Sequence, residues 1–331
     1  MSLGSGLPVG VMGVLNVSPE SFHPGSVHTT ADDLLGTALA MVEAGAVLID
    51  IGARSTAPYL NTEITDEEER TRLAGAIEAL APKLPVPISA DTSHPGPARA
   101  ALDAGAGIIN DVSGLRDPAL ASLVAARAVG VILMASPEPG LGSLAALGGA
   151  IGVEGTRSRD AASDAASLDG AQPPRDSARV PRGRLDPDRA PQRREPPRAA
   201  DAPVTIVSTL LQAALKRARA AGIPDERVVL DPGIGFFRNE GMAWDEWDAR
   251  VLAGLGELEK IGRPLCVGVS RKSFIGAIIG RPGTEKRLAG SHAATAVAVW
   301  NGAALIRTHD VPETIDAVRI AERVRRASAA L

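Results

Sequence analysis

Short apolar runs recur along the chain, and most of them end in a polar residue. Val9–Leu15 ends in Asn16, Val86–Ala90 in Asp91-Thr92, and Gly107–Ile109 in Asn110-Asp111. Val228–Leu230 ends in Asp231-Pro232-Gly233, Leu265–Val269 in Ser270-Arg271-Lys272-Ser273, and Ala303–Ile306 in Arg307-Thr308-His309-Asp310. Val47–Ile51 and Gly130–Met134 are two further runs. A strand covered on both faces reads as such a run, so eight strands are predicted. Helical spacing fills most of the gaps. Leu34, Leu35, Ala38, Leu39 and Val42 mark a helix over Ala31–Ala44, and Thr65-Asp66-Glu67-Glu68 is a start signal for one running to Leu80. Further helices are predicted over Pro97–Ala104, Pro118–Ala128, Thr205–Ala221, Glu246–Lys260, Glu285–Val299 and Pro312–Ala327.

Alternating strands and helices imply parallel pairing with right-handed crossovers. Eight such units fit a closed barrel better than an open doubly wound sheet. The first turn, Asn16-Val17-Ser18-Pro19-Glu20, also lacks the Gly-rich fingerprint of the open fold. The expected architecture is an α/β (β/α)8 TIM barrel forming a single domain over residues 1–331, with a long low-complexity insertion after strand 5. That insertion, Gly155–Pro203, holds ten Arg, seven Asp and one Glu but almost no large apolar residues. It cannot bury enough surface to offset chain entropy, so a disordered segment is predicted. Without it the chain is about 280 residues, near the usual barrel size of about 250.

Composition narrows the function. The net charge of −4 and an aromatic content of 2% argue against a nucleic-acid partner, because basic patches and stacking platforms are both lacking. The single cysteine, Cys266, lies inside an apolar run and reads as a small buried hydrophobe. No signal peptide and no membrane-spanning run are recognisable, which predicts a cytoplasmic protein without membrane association.

In a barrel of parallel strands the reactive groups project from the carboxyl ends. Asn16 offers an amide to a metal or a phosphate. Asp91, Asn110 and Asp231 suit a heterocycle with amidine-like N–H donors, since a carboxylate accepts two such bonds. Lys272, Arg307 and His309 suit a phosphate-bearing ligand, as does the Ser270–Ser273 loop. His23, His28, His94 and His292 have no ligand spacing, and Gly140-Leu141-Gly142 lacks a third glycine, so none is assigned a role.

Val11-Met12-Gly13-Val14-Leu15-Asn16-Val17-Ser18-Pro19-Glu20-Ser21-Phe22 resembles the first signature of the dihydropteroate synthases, and Asp50-Ile51-Gly52 with Ser55-Thr56 and Pro58 the second. Segments 109–114, 231–236, 270–276 and 307–310 are similar to family segments in family order. The resemblance implies condensation of 6-hydroxymethyl-7,8-dihydropterin diphosphate with p-aminobenzoate or a related arylamine, with release of diphosphate. It implies that Asp91, Asn110, Met134, Asp231, Phe236, Lys272 and Arg307 bind the pterin. Asn16, Thr56, Arg307 and His309 would hold the diphosphate, with Mg2+ at Asn16. Lys272 and Ser273 would border the arylamine, and Asp231, Lys272 and Arg307 would serve catalysis. A homodimer is also implied.

Two loops depart from the pattern. His23-Pro24-Gly25-Ser26 lacks the acidic residue expected before a glycine pair. Ser55-Thr56-Ala57-Pro58-Tyr59 lacks the arginine expected after Thr56, while Arg54 stands at an often acidic position. Ala135 replaces a common histidine. The ring pocket is intact and the second-substrate loops are altered, as in archaeal-type relatives, which points to a different amine acceptor. Two other readings compete: a corrinoid-type pterin methyltransferase, which needs no cationic set at Ser270–Ser273 and Arg307–His309, and a non-catalytic pterin-binding barrel.

Overall fold

All eight apolar runs form strands, and in five of them the polar end belongs to the strand itself. The computed structural model describes residues 3–4, 6–17, 31–54, 64–136, 203–237 and 242–328. The strands are β1 (Gly10–Asn16), β2 (Leu48–Gly52), β3 (Ile88–Asp91), β4 (Ile108–Asp111), β5 (Gly130–Met134), β6 (Val228–Asp231), β7 (Cys266–Gly268) and β8 (Leu305–Thr308). They pair in parallel in the order β6-β5-β4-β3-β2-β1-β8-β7. One parallel bridge, Leu230 to Leu265, joins the two ends of the sheet and closes the barrel. Leu230 N–H donates to Pro264 O at 2.9 Å along this joint.

Among the described residues, ten α-helices surround the strands: α1 (Ala31–Glu43), α2 (Asp66–Leu80), α3 (Pro95–Asp103), α4 (Pro118–Arg127), α5 (Pro203–Ala220), α6 (Trp244–Ala253), α7 (Leu255–Glu259), α8 (Ser273–Ile279), α9 (Leu288–Trp300) and α10 (Val311–Ser328). The start signal of α2 is a complete capping box. Thr65 Oγ1 accepts from Glu68 N at 3.2 Å and Glu68 Oε2 accepts from Thr65 N at 3.0 Å.

Three expectations are corrected. The single helix predicted over Glu246–Lys260 breaks at Gly254 into α6 and α7. A β-carbon at Gly254 would lie 2.3 Å from Val204 Cγ2, so the break marks a close approach to α5. The helix predicted from Glu285 opens as a 3-10 turn, Thr284–Arg287, and becomes α-helical at Leu288. Pro203, assigned to the insertion, is the buried first residue of α5, a place where a missing N–H costs nothing. The rest of the insertion, 155–202, lies outside the described residues, as do Thr56, the loop segments 22–26 and 55–59, and Gly140-Leu141-Gly142.

The barrel interior changes character along its axis. Its lower part is apolar: Met12, Leu48, Ile132, Cys266 and Leu305 are buried together, with Leu3, Ile108 and Val229 packed against them. Strand alternation sends the intervening residues, such as Ile49, Ile51 and Ile306, into the larger core beneath the helices. Cys266 is thus the small buried hydrophobe expected, and burial pushes its thiol well above the ordinary range. One level above this floor the interior becomes polar, and there the site begins. Among the described residues no helix is long and apolar enough to cross a membrane.

Candidate active site

Strand register brings the polar ends together. Asn16 pairs with Gly52, Gly52 with Asp91, and Asp91 with Asn110, so four strands present these residues at one level. Gly52 is flanked by both neighbours: a β-carbon there would be in ordinary contact, 3.5 Å from Asp91 Cβ and 3.7 Å from both Asn16 Oδ1 and Asp91 Oδ2.

Arg307 organises the centre. Its Nε donates to Asp50 Oδ2 at 2.7 Å and its Nη2 to Asp91 Oδ2 at 2.7 Å. Asn110 Nδ2 donates to the same Asp50 Oδ2 at 3.1 Å. Asp50 Oδ1 and Asp91 Oδ1 are buried and have no hydrogen-bond partner among the described residues. Burial pushes Asp91 up to about 7; Arg307 pulls it down, while Asp50, Glu69 and Asp111 repel its charge and push it up. Burial lowers the Arg307 pKa in isolation, but Asp50 and Asp91 outweigh this and hold the guanidinium firmly charged. An unpartnered carboxylate oxygen in so dry a place is costly, and a ligand N–H donor would satisfy that of Asp91.

A second group gathers across the barrel, where Met134 pairs in register with Asp231. Asp231 Oδ1 accepts from Gly233 N at 2.8 Å. Gly233 has φ +70°, and a β-carbon there would lie 2.4 Å from Ala135 O, so only glycine fits this turn. Buried Asp248 accepts from Gly235 N at 2.8 Å and fixes the next turn. Lys272 lies over that turn: its Nζ donates to Ile234 O at 2.5 Å and sits 4.6 Å from the centre of the Phe236 ring. Burial raises the pKa of Asp231, opposed by the Gly233 N–H and by the charges of Lys272 and Arg307.

The third group spans the ends of β7 and β8. Ser270 Oγ lies 3.1 Å from His309 Nδ1 and accepts from His309 N at 3.3 Å. Arg271 is not part of the open site. It makes a two-pronged pair with Asp310 at 2.8 and 2.7 Å, and its N–H donates to Ser291 Oγ. Arg287, unremarked in the sequence, is buried and donates to the carbonyls of Arg271, Arg281 and Pro282, holding this loop in place. Ser273 opens α8 directly after Lys272.

At the rim, Glu69 is a buried hub. It accepts from Arg54 Nε at 2.8 Å and Thr92 Oγ1 at 2.5 Å, and lies 2.9 Å from His94 Nδ1. Burial would raise its pKa, but the bonds from His94, Thr92 and Arg54 prevail and lower it. Asp66, Glu69 and His94 place three ligand-type atoms within 4.8 Å of one another, so this cluster has the donor set of an acidic metal site. Arg54, however, is ion-paired with both carboxylates, at 2.8 Å from Glu69 and 3.2 Å from Asp66. The guanidinium already supplies the positive charge a cation would bring. Asn16 is the other candidate. It offers a neutral amide oxygen beside Asp91 Oδ2, which Arg307 engages. Mg2+ is commonly held by one or two protein oxygens together with substrate phosphates, so Asn16 fits that ion when a phosphate-bearing ligand is present.

Of the residues expected at the site, Asn16, Asp91, Asn110 and Arg307 meet on one side, and Met134, Asp231, Phe236 and Lys272 on the other. His309 and Ser273 follow at the ends of the next strands. Asp111, by contrast, caps its own turn, accepting from Ser113 N at 2.8 Å and Leu115 N at 2.6 Å. Asp50 was missed, because it lies inside its strand rather than at the end. The available signal was an acidic residue within the run Val47–Ile51, which a buried strand tolerates only when it is paired.

Residues 12–309 match the family model described as pterin binding enzyme. The dihydropteroate synthase of Escherichia coli K12 is 32% identical over 312 residues, covering 94% of this chain and 90% of that protein. A probable bifunctional folylpolyglutamate synthase/dihydropteroate synthase of Haloferax volcanii is 35% identical over 311 residues, and the match spans 94% of this chain but only 30% of that longer protein. The structure of Xanthomonas albilineans dihydropteroate synthase with 4-aminobenzoic acid superposes with a TM-score of 0.71 at 34% identity, covering 96% of this chain and 93% of the other. With its barrel, its strand-end carboxylates and these relatives, the chain belongs to the pterin-binding enzymes of the dihydropteroate synthase family.

Proposed function

We propose that this chain joins 6-hydroxymethyl-7,8-dihydropterin diphosphate to an arylamine, p-aminobenzoate or a close relative, giving 7,8-dihydropteroate and diphosphate. One observation carries the reading. Asp91 and Asp231 stand at a barrel mouth whose facing cations are Arg307 and Lys272, and the buried Asp91 Oδ1 there has no partner among the described residues. A flat heterocycle bearing several N–H donors matches that set.

The chemistry follows from the charges. The amine forms a carbon–nitrogen bond at the pterin methylene while the carbon–oxygen bond to diphosphate breaks, and the electron pair leaves with the diphosphate. The amine proton passes to solvent. Positive charge that develops on the ring and its methylene is stabilised by Asp231, whose carboxylate is held by Gly233. Asp91, Asn110, Met134, Phe236, Lys272 and Arg307 orient the ring. Asn16, His309 and Arg307 face the leaving group, a role the family resemblance also gives Thr56, and Lys272 and Ser273 face the amine, which then needs mainly positioning. Mg2+ held at Asn16 would neutralise charge on the departing diphosphate. The altered segment at Arg54–Tyr59 supports an acceptor other than p-aminobenzoate alone. Diphosphate release, measured with p-aminobenzoate and with a ribosylated arylamine phosphate, each with and without Mg2+, tests the proposal. Release in none of the four conditions removes the synthase reading, and efficient use of p-aminobenzoate alone removes the altered acceptor. A methyltransferase would consume no diphosphate ester, so that reading gains only from the first of these failures.

The elevated Asp91 has a measurable consequence. The N–H donors of a pterin need its ionised form, so affinity should rise with pH through about 7. Below that point each pH unit costs up to about tenfold in affinity, and binding should expel a proton. Titration calorimetry in two buffers of different ionisation enthalpy reads both. Affinity unchanged from about pH 6 to about pH 8 would contradict it.

The implied homodimer gains support from the outer surface. Val297 and Trp300 on α9, and Ile320 and Val324 on α10, leave large apolar side chains exposed on neighbouring helices. Sedimentation velocity should give a dimer for the parent chain and a monomer for Trp300→Glu. A monomeric parent chain at micromolar concentration would remove the proposal.

A further inference from the structure

We infer that Asp50 is a positioning residue for ring recognition, acting through Asn110 and Arg307 rather than by touching the substrate. The inference rests on the reading that the barrel mouth binds a pterin.

Asp50 sits two residues before Gly52 on β2, at 0% exposure. Its Oδ2 accepts from two side chains of different strands at once, Arg307 Nε at 2.7 Å and Asn110 Nδ2 at 3.1 Å. An ionised carboxylate can only accept. Asn110 must therefore turn its NH2 group toward Asp50, which leaves its carbonyl oxygen as the acceptor it presents elsewhere. A neutral amide at position 50 would impose no such choice, and the Asn110 amide would be free to turn over. The same carboxylate orients Arg307. The guanidinium is pinned at Nε by Asp50 and at Nη2 by Asp91, and two contacts from adjacent strands fix the plane of a rigid fork. Both residues that Asp50 orients are among those proposed to hold the ring.

Stability alone does not account for this arrangement. Desolvating a buried ion pair largely cancels its attraction, and apolar replacements are often as stable. What the carboxylate supplies in the middle of the run Val47–Ile51 is a direction for its two donors. Asp50 also remains unsaturated, since its Oδ1 has no partner among the described residues.

The test is Asp50→Asn, which keeps shape and removes the charge, read by pterin binding and by steady-state kinetics. A hydrogen bond to a charged group lost from the ring's supports predicts pterin affinity weakened by about 10–100-fold. KM for the pterin diphosphate should rise, and KM for the arylamine should not. In a double-mutant cycle with Asn110→Ala the two losses should fall well short of additive, because both remove the same acceptor. Asp50→Ser carries the same expectation, since a hydroxyl both donates and accepts and leaves Asn110 free to turn. Additive losses, or a folded Asp50→Asn protein whose pterin affinity stays within about twofold of the parent, would overturn the inference. Failure of both variants to fold would also overturn it, making Asp50 a stability residue. Absence of pterin binding by the parent chain would instead count against the site itself, which separates the two failures.

Discussion

Arg307→Met should lower the unfolding free energy by about 3–5 kcal/mol, the usual consequence of removing one partner of a buried ion pair. The reason is geometric. Among the described residues, Arg307 is the one side chain hydrogen-bonded to both Asp50 and Asp91, two buried carboxylates on adjacent strands. Methionine fills much of the volume but leaves both charges without their counter-ion. The pH dependence identifies the cause. Asp91 has a folded pKa raised to about 7, above its ordinary value of 3.8. The stability its proton confers is fully present below the ordinary value and is lost as pH rises through the folded one. Removing Arg307 takes away the one charge that pulls Asp91 down, so the loss extends to higher pH. The variant's deficit, measured by urea unfolding, should therefore be smaller near about pH 5 than near about pH 8. A deficit that does not change with pH would assign the effect to packing.

Asp231→Asn should reduce kcat/KM by about 10²–10³-fold, the scale of losing one preorganised electrostatic group at a reaction centre. The substitution is nearly isosteric, and an amide oxygen can still accept from Gly233 N as Asp231 Oδ1 does at 2.8 Å. The turn through Gly233 should survive, so melting temperature should change little. The negative charge opposite the developing positive charge disappears. Diphosphate release measures the effect, and activity within about fivefold of the parent would remove Asp231 from the proposed chemistry.

The legibility of this protein differs between its parts for physical reasons. The strands were readable because a parallel barrel covers both faces of each strand, leaving runs such as Gly130–Met134 that nothing else explains. The Thr65 cap was readable because its four-residue pattern is local. The helix break at Gly254 was not, because its cause is Val204, some fifty residues away in sequence. The same division runs through the site. Asp91, Asn110, Asp231 and Lys272 stand at strand ends, where position alone suggests exposure to a ligand. Asp50 lies within a strand, and its meaning depends on Arg307 from the far end of the chain. Arg271 looked like part of a cationic loop, yet its charge is spent on Asp310. Arg54 read as an oddity at an often acidic position. The structure gives it a partner in Glu69, a residue on another element that no local pattern ties to it.

The joint between β6 and β7 gives the bound ring a mechanical role. Elsewhere the strands are laced by ladders of three to five paired residues, but here one bridge between Leu230 and Leu265 closes the circle. Asp231 stands on one side of that joint, and Lys272 and Arg307 stand on the other. A ring gripped from both sides is a clasp across the least-laced part of the barrel. Substrate and product should then slow amide exchange at Val229 through Asp231 more than at the well-laced β2, coupling occupancy of the mouth to the closure of the barrel wall.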